Sequence, residues 1–232
     1  MPIKRPPLVN EEIYHVVMRA IDDIKLFPGE QNYLRMIRNL FEFNDENPTI
    51  WQYRRSSENR SRTAGFIDTR KPLVEILAFC LMPNHFHLLF RQTRDGGISK
   101  IMRKIGAGYG IYYNNKYHRK GHLFQGKYHA VRIKDDKQLI TAFVYIHTNP
   151  VAILFPGWKE NGIRNFGEAV NYLENYRWSS YLDYLEEKNF PLLTNREFLT
   201  KELGGVNGCR EFINDWLQSK KELADFDQVA IE

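Results

Sequence analysis

Apolar residues in the first 150 positions recur with two periods, and these periods predict seven elements. Alternating or continuous apolar runs predict strands at about 13–19, 72–81, 85–91 and 127–134. Apolar positions three to four residues apart predict helices at about 30–43, after Gly96-Gly97, and from Asp135 or Asp136 through Tyr145. The order is the split ferredoxin-like pattern with one added helix. The predicted fold class is therefore α+β: a ferredoxin-like (βαββαβ) antiparallel sheet with helices on one face, plus a C-terminal helical extension.

The remaining sequence predicts an insertion and an appended module. Residues 44–71 separate the first helix from the second strand, and their polar first part is best interpreted as a solvated insertion. The last third has Leu, Phe, Tyr and Trp at helical spacings and a net charge of −5 over residues 159–232. The predicted domains are 1–155, a catalytic domain that contains the insertion 44–71, and 156–232, an acidic helical extension.

Length and cysteine content bound the class of protein. A chain of 232 residues can bury a sizeable core without disulfides or metals. Cys80 and Cys209 are its two cysteines, and Cys80 lies in an apolar run, which favours a reduced cytoplasmic protein. Because no stretch reaches about 18 apolar residues, we expect no membrane association. The expected location is cytoplasmic and associated with the nucleoid.

Positive charge is concentrated in residues 91–134, where eleven Lys and Arg face one acid. Aromatic residues are interleaved with these basic ones, a pattern that suits phosphates together with unpaired bases, although most charge runs are only solvated faces. We expect this segment to bind single-stranded nucleic acid. The candidate DNA-binding residues are Arg91, Lys100, Arg103, Lys104, Lys116, Arg119, Lys120, Lys127 and Tyr128.

Candidate chemistry lies in His85-Phe86-His87, because alternation along a strand puts both imidazoles on one face. Two neutral imidazoles can hold a divalent metal, whereas an isolated pair of this kind is more often packed or hydrogen-bonded. About sixty residues on, Tyr145 and Asn149 are four residues apart and share one face of a helix. A metal held by the two histidines, the Tyr145 hydroxyl as nucleophile and the Asn149 amide as third ligand can then lie close together. Arg19 and Arg91 are expected at strand ends near the pair, and His147 is expected to pack or cap.

Four ordered segments carry a family resemblance: Leu81–Leu89, Gly121–Tyr128, Tyr145–Val151 and Trp178–Tyr181. Together they resemble the IS200-like tyrosine transposases, closest to the REP-associated branch, over roughly residues 10 to 185. The insertion 44–71 and a longer connection after Val151 depart from that family's pattern.

The resemblance implies a metal-dependent endonuclease and strand transferase acting on single-stranded DNA. It implies that Tyr145 is the nucleophile and forms a 5′-phosphotyrosyl intermediate, although sequence physics alone also leaves Tyr128 open. The metal would be held by His85 and His87 with Asn149 as third ligand, and would be Mg²⁺ or Mn²⁺, since imidazole is an unusual ligand for magnesium. The expected partner is single-stranded DNA, including hairpin-forming REP-like repeats, bound by a monomer or a homodimer.

Three alternatives stay open at this point. The chain could be a non-catalytic nucleic-acid-binding protein of the same fold, or a replication-type nickase, which shares the chemistry. It could also be a zinc hydrolase of a small substrate. Against the zinc enzyme, no third His, Cys or carboxylate stands at metal-ligand spacing.

Overall fold

A computed structural model describes residues 7–47 and 68–219. At its centre is a four-stranded antiparallel sheet in the order β2-β3-β1-β4. Its strands are β1 (Ile13–Arg19), β2 (Val74–Met82), β3 (His85–Gln92) and β4 (His129–Arg132). This is the strand order of a ferredoxin-like βαββαβ unit, so the predicted fold class is confirmed.

Two helices, α1 (Glu30–Glu42) and α2 (Gly97–Lys116), pack on one face of the sheet. The glycines of α2, which weaken a helix, allow a close approach to the end of α1. A Cβ atom added at Gly108 would lie 2.5 Å from the Phe43 ring, so a larger residue there would push the two segments apart. Tyr109 and Tyr113 of the same helix face inward and donate hydrogen bonds to backbone carbonyls of residues 26 and 25.

The opposite face of the sheet is covered by α3 (Asp136–Thr148) and the helices that follow it. The Asp135 side chain caps α3 by accepting a hydrogen bond from the Gln138 amide, as the sequence predicts. The later helices are α4 (Val151–Leu154), α5 (Trp158–Asn161), α6 (Phe166–Asn175), α7 (Tyr181–Tyr184), α8 (Glu197–Glu202) and α9 (Gly205–Gln218). Their apolar side chains and those of α3 form one cluster with β2 and β3. Residues on both sides of the predicted boundary at 155 therefore fill a single core.

The segment Trp178–Ser180 extends the sheet beyond the edge strand β2. The Leu81 amide donates to the Trp178 carbonyl at 2.9 Å, and the Ser180 amide donates to the Phe79 carbonyl at 3.0 Å. The fourth motif of the resemblance is thus a structural clasp on β2. Of the predicted insertion 44–71, residues 48–67 lie outside the described part of the chain. No helix within the described ranges is long and apolar enough to cross a membrane.

Candidate active site and metal centre

The two histidines lie at the start of β3, on the face that α3 covers. The register of β1 and β3 places His85 opposite Arg19 and His87 opposite Val17. The His85 and His87 ring centroids are 4.9 Å apart. Both side chains line a cavity of about 580 Å³. The prediction that the two imidazoles share one face is therefore confirmed.

A neighbouring amide holds the His85 ring. His85 Nδ1 is 2.7 Å from Asn84 Oδ1, and the amide orientation of Asn84 is fixed because its Nδ2 donates to Asp23 Oδ1 at 2.8 Å. A carbonyl oxygen can only accept, so His85 Nδ1 carries the proton and donates it. The lone pair of His85 is consequently on Nε2.

A third histidine, His15 of β1, holds the His87 ring. His15 Nε2 and His87 Nδ1 are 3.0 Å apart, and the two rings stack with centroids 5.2 Å apart. The Nε2 atom of His87 is buried and has no hydrogen-bond partner among the described residues. Sequence analysis did not single out His15. The position of His15 near the pair could have been predicted, because the ferredoxin-like order pairs β1 with β3 and alternation puts residues 15, 17 and 19 on one face.

Burial makes all three histidines neutral near pH 7. It lowers the pKa of His15 to about 4. Burial, followed by the positive charges of Arg19 and Lys159, lowers the pKa of His85 to about 3. The pKa of His87 is also far below its usual range, first because of burial and then because of His85 and His15. Neutral imidazole is the form that binds a metal, so these rings need not lose a proton to do so.

Tyr145 and Asn149 of the predicted site reach the same cavity from α3 and its C-terminus. The Tyr145 ring is 2% exposed and stands edge-on to the His87 ring, with centroids 5.6 Å apart. Asn149 follows one helical turn later. Its Nδ2 donates to the backbone carbonyl of Tyr145 at 2.9 Å, and this bond fixes the orientation of the Asn149 side-chain amide. The four residues named from sequence as nucleophile and metal ligands therefore line one cavity.

Of the nine predicted DNA-binding residues, Lys127 also lines this cavity. The expectation that Arg91 lies near the histidine pair is wrong. Arg91 stands at the opposite end of β3, six residues from His85, which is about 20 Å along a strand. There it pairs with Glu75 at 2.8 Å and covers the Phe198 ring. The antiparallel register pairs Arg91 with Ile13 and His85 with Arg19, so Arg91 lies at the end of β3 that is farther from the site.

The other candidates of residues 91–134 divide into two groups. Lys100, Arg103 and Lys120 are exposed. The remaining four have partners within the fold. Lys104 donates to carbonyls of residues 45 and 47, Lys116 to Asn32 Oδ1, Arg119 to the His122 carbonyl, and Tyr128 shares a hydrogen bond with Ser99. A DNA-binding role for these residues stays a prediction.

One cation of the site comes from the predicted helical extension, from a position that no sequence pattern indicated. Lys159, in α5, places Nζ 4.3 Å from the centroid of the Tyr145 ring and lines the cavity. His147 points elsewhere, as expected from its position two residues after Tyr145. It is buried, and its Nε2 lies 2.7 Å from Ser180 Oγ.

Comparisons with known proteins bear on this arrangement. Residues 58–149 match the family described as "Transposase IS200 like", a segment that includes His85, His87, Tyr145 and Asn149. This segment belongs to the IS200-like transposase family. The resemblance inferred from the sequence is therefore confirmed.

Solved structures extend the IS200-like assignment at the level of fold. Eleven solved chains match, among them a REP-associated tyrosine transposase bound to a REP hairpin. That chain is 15% identical, the match covers 85% of this chain and 96% of that one, and the TM-score is 0.50. At this identity the likeness concerns the fold. No curated protein matches the chain.

Proposed function

We propose that this protein is a metal-dependent endonuclease and strand transferase for single-stranded DNA, with Tyr145 as the nucleophile. The observation that carries the proposal is the position of the Tyr145 ring, edge-on to His87 in the cavity that His85 and Asn149 also line. The IS200-like family match supports this class of chemistry. Residues 1–155 would supply the nucleophile and ligands, and residues 156–232 would form the helical extension.

The donor set fits a divalent ion with open coordination positions. Hydrogen bonds to Nδ1 leave Nε2 of both His85 and His87 for a metal, provided that His87 Nδ1 donates its proton to His15. Asn149 uses its Nδ2 towards Tyr145, which leaves Oδ1 as a third ligand atom. The described residues contain no cluster of three His, Cys, Asp or Glu side chains able to hold a metal, which argues against a zinc hydrolase.

When bound, Mg²⁺ or Mn²⁺ would polarise a phosphate oxygen of the DNA and neutralise charge that develops on it. Tyr145 then attacks the phosphorus, its phenolic proton leaves to solvent, and an O–P bond forms between Tyr145 and the 5′ phosphate of the downstream fragment. The bond to the 3′ oxygen breaks, and that oxygen takes up a proton. A second 3′-hydroxyl can reverse the reaction onto another strand without ATP, because the phosphotyrosyl bond conserves the bond energy.

The DNA we propose as substrate is single-stranded and contains hairpin-forming repeats. A REP hairpin is the ligand of the similar solved transposase. Arg19 and Lys127 line the cavity and supply positive charge for the phosphates. Lys100, Arg103 and Lys120, which are exposed, would contact DNA outside the cavity.

The test incubates the protein and Mn²⁺ with end-labelled single-stranded DNA that contains the repeats flanking its gene, and resolves the products under denaturing conditions. We expect an SDS-resistant adduct on the 5′ end of the downstream fragment. Tyr145→Phe, His85→Ala and His87→Ala should abolish it. Tyr172→Phe, which removes a half-buried hydroxyl of α6, is the matched control and should form the adduct.

Two results would overturn parts of the proposal. An adduct that survives Tyr145→Phe and disappears in Tyr128→Phe would move the nucleophile to Tyr128. Binding of the repeats by every variant, with no adduct in any metal, would instead identify a non-catalytic nucleic-acid-binding protein.

A further inference from the structure

The C-terminal extension sends one side chain into the candidate active site. Lys159 Nζ lies over the Tyr145 ring, 4.3 Å from its centroid, and the phenolic oxygen is on the rim of that ring. The positive charge of Lys159 also contributes to the lowered pKa values of both His85 and His87. One ammonium group is therefore near the proposed nucleophile and both proposed metal ligands.

The position of Lys159 is fixed by its neighbours in sequence. Trp158 is 3% exposed and belongs to the core that α3 and the later helices share, so it anchors α5 beside the cavity. Gly157 enters the helix with φ of +73°, a left-handed conformation that favours glycine. The turn at Gly157 and the buried Trp158 that follows it thus place Lys159 beside Tyr145.

A second cation, Arg19 of β1, lines the same cavity. Arg19 is opposite His85 in the sheet register, and its guanidinium is 3.9 Å from the Asp23 carboxylate, with both side chains largely exposed. A phosphodiester that reaches Tyr145 therefore enters a cavity that cations from β1 and α5 both line. An ammonium group is compact and rotates freely, so it can serve as a point charge for phosphate oxygens.

We infer that Lys159 is a catalytic residue, supplied by the C-terminal extension, that contacts a non-bridging oxygen of the scissile phosphate as Tyr145 attacks it. This inference rests on the proposed function. The Lys159 ammonium is the cation that lies over the ring of the proposed nucleophile. The same cation would offset the negative charge that grows on the phosphate as the O–P bond forms.

The first experiment measures single-turnover adduct formation as a function of pH for Lys159→Gln and Lys159→Arg. Loss of one preorganised donor to a developing oxyanion costs about 10²- to 10³-fold, and we expect a loss of that order in Lys159→Gln. Lys159→Arg keeps the charge and should recover much of the rate. Lys201→Gln, an exposed lysine of α8, is the matched control.

The second experiment needs no catalysis. In the Tyr145→Phe background, affinity for the repeat DNA is measured at several salt concentrations. A lost phosphate contact reduces the slope of log K against log salt by about 0.7 for single strands, and Lys159→Gln should show this reduction. Unchanged slope together with an unchanged adduct rate in Lys159→Gln would overturn the inference while Tyr145 keeps its role. Absence of any adduct from the parent protein would overturn the proposed function as well.

Discussion

At the scale of single residues, the site depends on two hydrogen bonds that the sequence did not assign. Asn84 accepts from His85 Nδ1, and His15 lies at hydrogen-bond distance from His87 Nδ1. Such partners fix the tautomer and ring orientation of a metal-binding histidine, and their loss costs about 10- to 100-fold in metal affinity. His15 and Asn84 would then be positioning residues for the proposed metal.

We therefore expect Asn84→Ala and His15→Phe each to weaken Mn²⁺ binding by about 10- to 100-fold, measured from the free-ion signal in electron paramagnetic resonance. His15→Gln places an acceptor oxygen near the former Nε2 and should restore most of the affinity. Thermal denaturation of each apo variant checks that the fold persists. Equal Mn²⁺ affinity in His15→Phe and the parent would show that His15 does not position His87.

A different residue-scale effect concerns stability. Burial raises the pKa of Asp183 above its usual range, although the amides of Asn189 and Phe190 donate to its carboxylate. A carboxyl group whose pKa is higher in the folded state contributes stability below its unfolded pKa of about 4, and that contribution is lost as pH rises through the folded value. The ionised form is thus the less favourable one in the fold.

Asp183→Asn should consequently gain stability relative to the parent as pH rises above about 4, because the amide oxygen can still accept the two hydrogen bonds made to Oδ1 and the side chain carries no charge. Chemical denaturation at a series of pH values measures the difference in unfolding free energy. Asp215→Asn, an exposed position of α9, serves as the control. A parent-to-variant difference that is flat across this pH range would contradict the prediction.

At the scale of elements, the segment Trp178–Ser180 joins the sheet to α3 through one hydroxyl. Ser180 Oγ accepts from the Phe79 amide at 3.0 Å and lies 2.7 Å from His147 Nε2. Both partners are buried, so removing the hydroxyl leaves buried polar groups unsatisfied, at about 1–3 kcal/mol each. The clasp therefore stabilises β2 and its packing against α3.

Ser180→Ala should lower the free energy of unfolding by about 1–3 kcal/mol, measured by urea denaturation. Ser219→Ala, an exposed serine after α9, should stay within about 0.5 kcal/mol of the parent. A change in Ser180→Ala no larger than that control would mean that water or a shifted backbone replaces the hydroxyl.

The elements themselves were predictable because each has a local cause. Alternation located β1 and β3, Asp135 located the start of α3, and Pro150 limited its end. Pairings between distant elements were less accessible. Arg91 could be assigned to a strand end, but which end faces the histidines depends on the register of β1 and β3. Lys159 carried no signal, since α5 is a single turn whose position depends on the burial of Trp158.

At the scale of the whole molecule, the extension and the catalytic segment share a hydrophobic core. Cys209, Ile213 and Trp216 of α9 are buried in the cluster that includes Tyr145 and the adjoining face of β2. An extension of this kind cannot be removed without exposing the elements that carry Tyr145, the proposed nucleophile.

Truncation after residue 185 should therefore destabilise the protein rather than release its activity. It removes buried residues of α8 and α9, and each large aliphatic side chain lost from a core costs about 2–5 kcal/mol, so a few exhaust a typical stability of 5–15 kcal/mol. We expect loss of the cooperative thermal transition.

Truncation after residue 219 removes no residue of the described core and is the control. The point variant Ile213→Ala, at a cost of about 2–5 kcal/mol, tests the same packing in the full chain. A truncated protein that unfolds at the parent's temperature and forms more adduct would show instead that the extension inhibits the site, because only then could the catalytic segment hold Tyr145 in place without α9.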